Sequence, residues 1–89
     1  MATKFPVDFL LNGEIKTVIL NSKERALFRV LDENNGDVVM ISDILKEMEI
    51  DKNYLRVIKK SLQEKLEGLV TIISSRENGY FIRYIATKL

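Results

Sequence analysis

The sequence has no cysteine and no histidine. Their absence removes disulfides, thiolate nucleophiles, zinc sites of the usual ligand types and imidazole acid–base chemistry. One proline and four glycines leave no flexible linker or low-complexity tract, and there is no internal repeat. No apolar run approaches the roughly 20 residues that span a bilayer. The opening segment, Met1-Ala2-Thr3-Lys4-Phe5-Pro6, lacks the uninterrupted apolar core of a signal peptide, because Asp8 and Asn12 follow within it. The expected compartment is therefore the cytoplasm, with no membrane partner.

Signatures of chemistry are missing too. No glycine-rich phosphate loop, nucleophile elbow or dinucleotide fingerprint occurs. The serines have no histidine or placed lysine to activate them. The acids Asp32, Glu33, Asp37, Asp43, Glu47 and Glu49 fit no calcium loop and fall on expected exposed helix ends. The expectation is a protein with no catalytic residues, no metal, no cofactor and no small-molecule substrate.

What is present is the composition of one globular domain over 1–89, 46% hydrophobic and 30% charged. A chain this short needs nearly every apolar residue for its core. Net charge is only +1, but its distribution is uneven. Residues 22–51 carry four Lys/Arg against eight Asp/Glu, a net of −4, whereas residues 52–89 carry eight against three, a net of +5. Such a dipole lets one face attract an anionic partner while the molecule stays near neutrality. Helix-dipole preference is the alternative source of the pattern.

The spacing predicts a hairpin over 1–20, in which β-prone Phe5 to Leu11 and Ile15 to Leu20 flank an Asn12-Gly13 turn. Asn21, with Glu24 three residues on, predicts a capping box opening a first helix, Ser22 to Glu33, and Asn34-Asn35-Gly36 closes it. Val38-Val39-Met40 is a short strand. Ser42 is expected to cap a second helix carrying Ile44, Leu45 and Met48. Asp51 caps a third, about Lys52 to Glu67, with Leu55, Ile58, Leu62 and Leu66 on one stripe and Gly68 at its end. Two β-prone runs within 69–86, Leu69 to Ser74 and Tyr80 to Ile85, flank a turn whose Asn78-Gly79 tolerates positive φ. A three-helix core over 22–67 with a basic third helix, followed by a hairpin, describes an α+β winged helix-turn-helix.

In that order the chain resembles the DNA-binding domain of the OmpR/PhoB family of bacterial response regulators. The likeness covers essentially the whole chain. Asn21-Ser22-Lys23-Glu24-Arg25-Ala26-Leu27-Phe28 resembles the family's first helix, and Asn35-Gly36-Asp37-Val38-Val39 its following step. Lys65-Leu66-Glu67 resembles the close of its third helix, and Ile72 through Tyr80 its wing. Glu77 stands where the family has its first wing glycine, and Ser74-Ser75 where it has Thr-Val. The family's long loop between the second and third helices, which contacts the transcription machinery, is cut here to about Glu49-Ile50-Asp51. The resemblance implies sequence-specific binding of double-stranded DNA and transcription regulation. It also implies self-association on DNA, head to tail on direct repeats, through the N-terminal hairpin and a neighbour's wing.

Lys52, Arg56, Lys59 and Lys60 fall in a stretch of the third helix without an acid, largely off its apolar stripe. There they are candidates for phosphate contacts, with Arg56 able to read guanine and Asn53 adenine. Arg76 at the turn of the last hairpin aligns with the family's wing arginine, which enters the minor groove. The competing reading of these charges is a solvated surface. The competing function is a winged helix used as a protein-interaction module, an adaptor or phage-type accessory factor without DNA contact. Glu64, Glu67 and Glu77 near the basic face favour that alternative.

Overall fold

Asn12 and Gly13 both take positive φ, 52° and 78°, and so close a two-residue turn between β1 (Phe5–Leu11) and β2 (Glu14–Leu20). A computed structural model describes residues 4–89. Met1, Ala2 and Thr3, which open the segment read for a signal peptide, lie outside the described residues. Along β1 the inward positions Phe9 and, less fully, Val7 and Leu11 alternate with outward Pro6, Asp8 and Leu10. Phe9 meets Phe28 edge to face, with ring centroids 6.2 Å apart.

Helix α1 (Ser22–Glu33) begins at the expected capping box: the Asn21 side chain accepts from the Glu24 amide and the Glu24 carboxylate accepts from the Asn21 amide, each at 2.8 Å. Glu24 is fully buried, yet three donors serve it. Besides Asn21, Lys65 Nζ donates to Oε1 at 2.6 Å and Ser61 Oγ donates to Oε2. Both of those donors belong to α3 (Lys52–Lys65), so one carboxylate ties the start of α1 to the far end of α3. Leu27, Phe28 and Leu31 face the core, and Asn34 through Gly36 end the helix, with Asn35 and Gly36 at positive φ.

Strand β3 (Val39–Met40) runs directly into α2 (Ile41–Met48). Ser42 is therefore not the cap. The helix starts two residues earlier than a cap at Ser42 requires, Met40 holds the N-cap without a side-chain bond, and Ser42 lies in the first turn. The physical reason is the strand before it. The amide of Ile41 donates to the Asn78 carbonyl at 2.8 Å, so pairing with the hairpin serves the first amide of the helix and lets it begin directly at the end of β3. Glu49 in the left-handed region turns the chain, and Asp51 caps α3 by accepting from the Tyr54 amide at 2.7 Å. Two helices are thus joined by three residues, and α3 ends at Lys65, with Leu66 as its C-cap and Gly68 at φ 81°.

Strands β4 (Val70–Ser75) and β5 (Gly79–Tyr84) form the expected hairpin. At its turn Asn78 takes positive φ and Gly79 does not. Glycine is needed at 79 for a different reason: a Cβ there would lie 2.5 Å from Val38 Cγ1 and 2.7 Å from the Val39 carbonyl oxygen. The hairpin is not the end of the chain's structure, because β6 (Thr87–Lys88) returns to pair with β1. Among the described residues the domain is thus α+β, with three helices and two three-stranded antiparallel sheets, ordered β2-β1-β6 and β3-β5-β4. The tyrosine that ends β5, Tyr84, donates to Asp32 near the end of α1, and Lys88 Nζ donates to the same carboxylate at 2.8 Å. Leu27, Leu31, Ile44, Leu55, Ile58, Leu62, Val70, Ile72 and Tyr80 share one core, with Leu45 and Val30 partly buried against it.

Two outcomes follow from this packing. Leu62 has no exposed surface, so Leu62→Ala should cost on the order of 2–5 kcal/mol in urea denaturation, a large share of a small domain's stability. The second outcome concerns acid. Burial pushes the Glu24 carboxyl up, but the Asn21 amide, Lys65 and Ser61 outweigh it, so its pKa lies below the ordinary 4.5. A depressed folded-state value contributes stability above the unfolded one, and that contribution is lost as pH falls through the folded value. The urea midpoint should therefore hold at neutral pH and drop below about pH 4.5. Glu24→Gln should lower it at neutral pH and flatten the acid drop, which a pH series of melts reads directly.

Candidate nucleic-acid interface

With Leu55, Ile58, Leu62 and Leu66 turned to the core, the 100° step of the helix places Asn53, Arg56, Val57, Lys60 and Glu64 on the outward side of α3. Lys52, Asn53, Arg56 and Lys60 are exposed. Lys59 is not fully so. Its stem is half-buried and its Nζ stands 5.3 Å from the centroid of the Tyr80 ring, a cation–π contact that leans it towards β5. Arg56, Lys59 and Lys60 come together with Gln63, Glu64 and Tyr80 around an open cavity of about 470 Å³ between α3 and β5. Arg76 is exposed at the hairpin turn and does not line that cavity.

The ion pairs of the domain sharpen this picture. Of the cations that give residues 52–89 their positive sum, Lys65 and Lys88 pair with Glu24 and Asp32, acids of the negative segment. Part of the charge segregation is therefore consumed inside the fold. Lys52, Arg56, Lys59, Lys60, Arg76 and Arg83 make no ion pair among the described residues. Four of these six stand on one helix, within nine residues that hold no acid. An unpaired cation keeps its full attraction for an outside anion, whereas a paired one has already neutralised much of its field.

Sequence reasoning marks Glu64 near this surface but misses Gln63, Tyr54 and Val57. Gln63 sits on the border of the apolar stripe, and its side chain acts as a short piece of strand. Nε2 donates to the Val70 carbonyl at 3.1 Å, and the Ile72 amide donates to Oε1 at 2.6 Å. It thereby fastens α3 to the outer edge of β4. Its only signal is a neutral polar residue, and Asn53 and Ser61 in the same helix show that such a residue does not announce a partner. Val57, 63% exposed, and Tyr54 add apolar surface to the same helix, and Glu64 adds an acid. Val57 was legible as outward because it falls off the stripe.

Among the described residues no group of three or more acids is gathered for a metal ion, and no helix is long and apolar enough to cross a membrane. Asp32, Tyr84 and Lys88 serve one another instead. Lys88 and Tyr84 lower the Asp32 carboxyl against the upward push of its burial, and burial together with Asp32 raises the Tyr84 hydroxyl far above its usual value. No family model, curated protein or solved structure matches the chain.

Replacing Gln63 by alanine leaves the Ile72 amide and Val70 carbonyl without their partner. A loss of about 1–3 kcal/mol is expected, together with faster hydrogen exchange at Ile72 than at the amides that pair β4 with β5. Unchanged exchange at Ile72 would show that the amide bracket does not hold the edge.

Proposed function

We propose that this chain is a winged helix-turn-helix protein that binds double-stranded DNA, with α3 in the major groove and the β4–β5 hairpin as a wing beside the minor groove. The observation that carries the reading is the set of unpaired cations on the outward side of α3, set against a short-turn helix pair and a following hairpin. A major groove admits one helix, whose early residues reach base edges while flanking cations reach phosphates. Lys52, Asn53 and Arg56 occupy the first turns of α3, and Lys59 and Lys60 follow them. Arg76, exposed at the hairpin turn, is the cation this reading assigns to the minor groove. The order of elements supports the resemblance to OmpR/PhoB-type domains, and transcription regulation is the role that resemblance implies.

A second reading is favoured by a specific feature. Glu64 shares the α3–β5 cavity with Arg56, Lys59 and Lys60, and Glu77 adjoins Arg76. Acids beside the cations weaken attraction for phosphate and suit a protein partner of mixed charge. The alternative is thus a winged-helix adaptor.

Binding of random-sequence duplex DNA across a salt series separates the two. With Lys52, Arg56, Lys59, Lys60 and Arg76 engaged, log affinity should fall with log salt at a slope of about −4 to −5. Lys59→Ala or Lys60→Ala should weaken all sequences alike and reduce that slope by about one unit each. Arg56→Ala should instead relax preference at one base position by about 1–3 kcal/mol. A duplex that does not bind even at low salt would leave the adaptor reading in its place.

A further inference from the structure

The edges of the two sheets are not treated alike. On β4, Gln63 occupies the outward amide of Ile72 and carbonyl of Val70. On β5's other side, β3 is only two residues long. In the second sheet, β6 covers part of β1 with two residues, and Lys88 there is tied down by Asp32. The remainder of that edge of β1 holds Pro6, which has no amide to offer a new strand. Short strands, a proline and a covering side chain are the usual protections against edge-to-edge pairing. Strand β2 has none of these three, and its charged pair, Lys16 and Glu14, is neutralised within the strand. It is seven residues long, pairs with β1 in an unbroken register, and stands at the end of the order β2-β1-β6.

The direction of its backbone groups can be read from the neighbouring strand. The Asp8 carbonyl accepts from the Leu89 amide at 3.0 Å, on the side away from β2. In an antiparallel ladder bonded and unbonded pairs alternate, so Asp8↔Thr17 is an unbonded pair, as are Leu10↔Ile15 and Pro6↔Ile19. The amides and carbonyls of Ile15, Thr17 and Ile19 therefore point outwards, away from β1. Their side chains lie on the outer face of the sheet, where Ile15 is 65% and Ile19 46% exposed.

We propose that β2 pairs antiparallel with β2 of a second copy of this chain, about a two-fold axis at Thr17, joining the two β2-β1-β6 sheets into one. This is the register in which all three outward-pointing residues find partners: Thr17 faces its own copy, and Ile15 faces Ile19 of the other chain. It sets two apolar β-branched pairs on one face. It opposes no like charges either, because Lys16 comes opposite Val18 and already has Glu14 at 3.0 Å. The occupant is a second copy because the strand is complementary to itself, and an isologous two-fold contact closes where a heterologous one could propagate. Leu10 and Leu89 extend the apolar outer face on each side of the joint. An interface made chiefly of one strand edge falls short of the about 800 Å² per partner typical of stable complexes, so the pair is weak and reversible. It stands independently of the DNA reading. Where that reading holds, a two-fold pair matches an inverted repeat rather than the direct repeat implied by the family resemblance.

Sedimentation of the whole chain over a concentration series up to about 1 mM tests the pairing. A reversible monomer–dimer equilibrium is expected. Thr17→Pro removes an amide that β1 does not use, so it should abolish dimerisation while leaving the circular dichroism of the monomer in place; Thr17→Val, which loses only the exposed hydroxyl bond to Asp8 (2.6 Å), gives the reference melt. Ile15→Lys with Ile19→Lys should give a monomer, and so should Ile15→Glu with Ile19→Glu. Mixing those two variants should restore a one-to-one pair, because residue 15 faces residue 19 of the partner. A wild-type chain that stays monomeric throughout overturns the proposal. So does a dimer that survives Thr17→Pro, or a mixture of folded charge variants that stays unpaired.

Discussion

The carboxylate of Glu24 has no exposed surface, and removing it from water is tolerable only because an amide, an ammonium group and a hydroxyl all donate to it. Two of those donors lie on α3, so the charge that opens α1 also fixes where α3 ends. The other end of α3 is set by Asp51 and the three-residue turn. Once both ends are held, the rotation of the helix is settled, and with it the side on which Asn53, Arg56 and Lys60 stand. An apolar core alone is less demanding, because hydrophobic contact is non-directional.

Two further contacts join α3 to the hairpin behind it. Gln63 brackets the edge of β4, and Lys59 leans on the Tyr80 ring of β5. Helix and hairpin are in this way linked by hydrogen bonds and a cation–π contact as well as by their shared core. A surface meant to match a rigid groove benefits from such preorganisation, since less freedom is lost on binding. The same economy of ion pairs explains the molecule's charge. Lys65 and Lys88 neutralise buried or half-buried acids, and four of the six unpaired cations of the positive half stand on α3, with Arg76 at the hairpin turn and Arg83 on β5.

Local chemistry was legible in the sequence wherever the structure is locally determined. Asn12-Gly13, the Asn21–Glu24 box, Asn34 to Gly36 and the Asp51 cap each depend on residues a few positions apart, and each stands where its residues predict. What failed depends on distant partners. Ser42 lost its capping place to a hydrogen bond from Ile41 to Asn78 across the β3–β5 pair. Strand β6 gave no signal because two residues carry no period, and its existence rests on β1, more than 70 positions earlier in the chain. Gly79 was read as a turn residue, yet it is required by the approach of Val38 and Val39. For the candidate interface, the positions of Lys52, Asn53, Arg56 and Lys60 followed from the helical stripe. The half-burial of Lys59 did not, because it is set by Tyr80.

The central claim is that the outward side of α3 and the hairpin turn form the face that meets DNA. Amide chemical-shift mapping of the labelled chain against a short random-sequence duplex at low salt addresses it residue by residue. The account predicts shifts concentrated over Lys52 to Lys60 and around Arg76, with β1 and the outer side of α1 little changed. Shifts confined to the cleft between α1 and α2, around Ala26, Val30 and Met48, or no shifts at all, would contradict it.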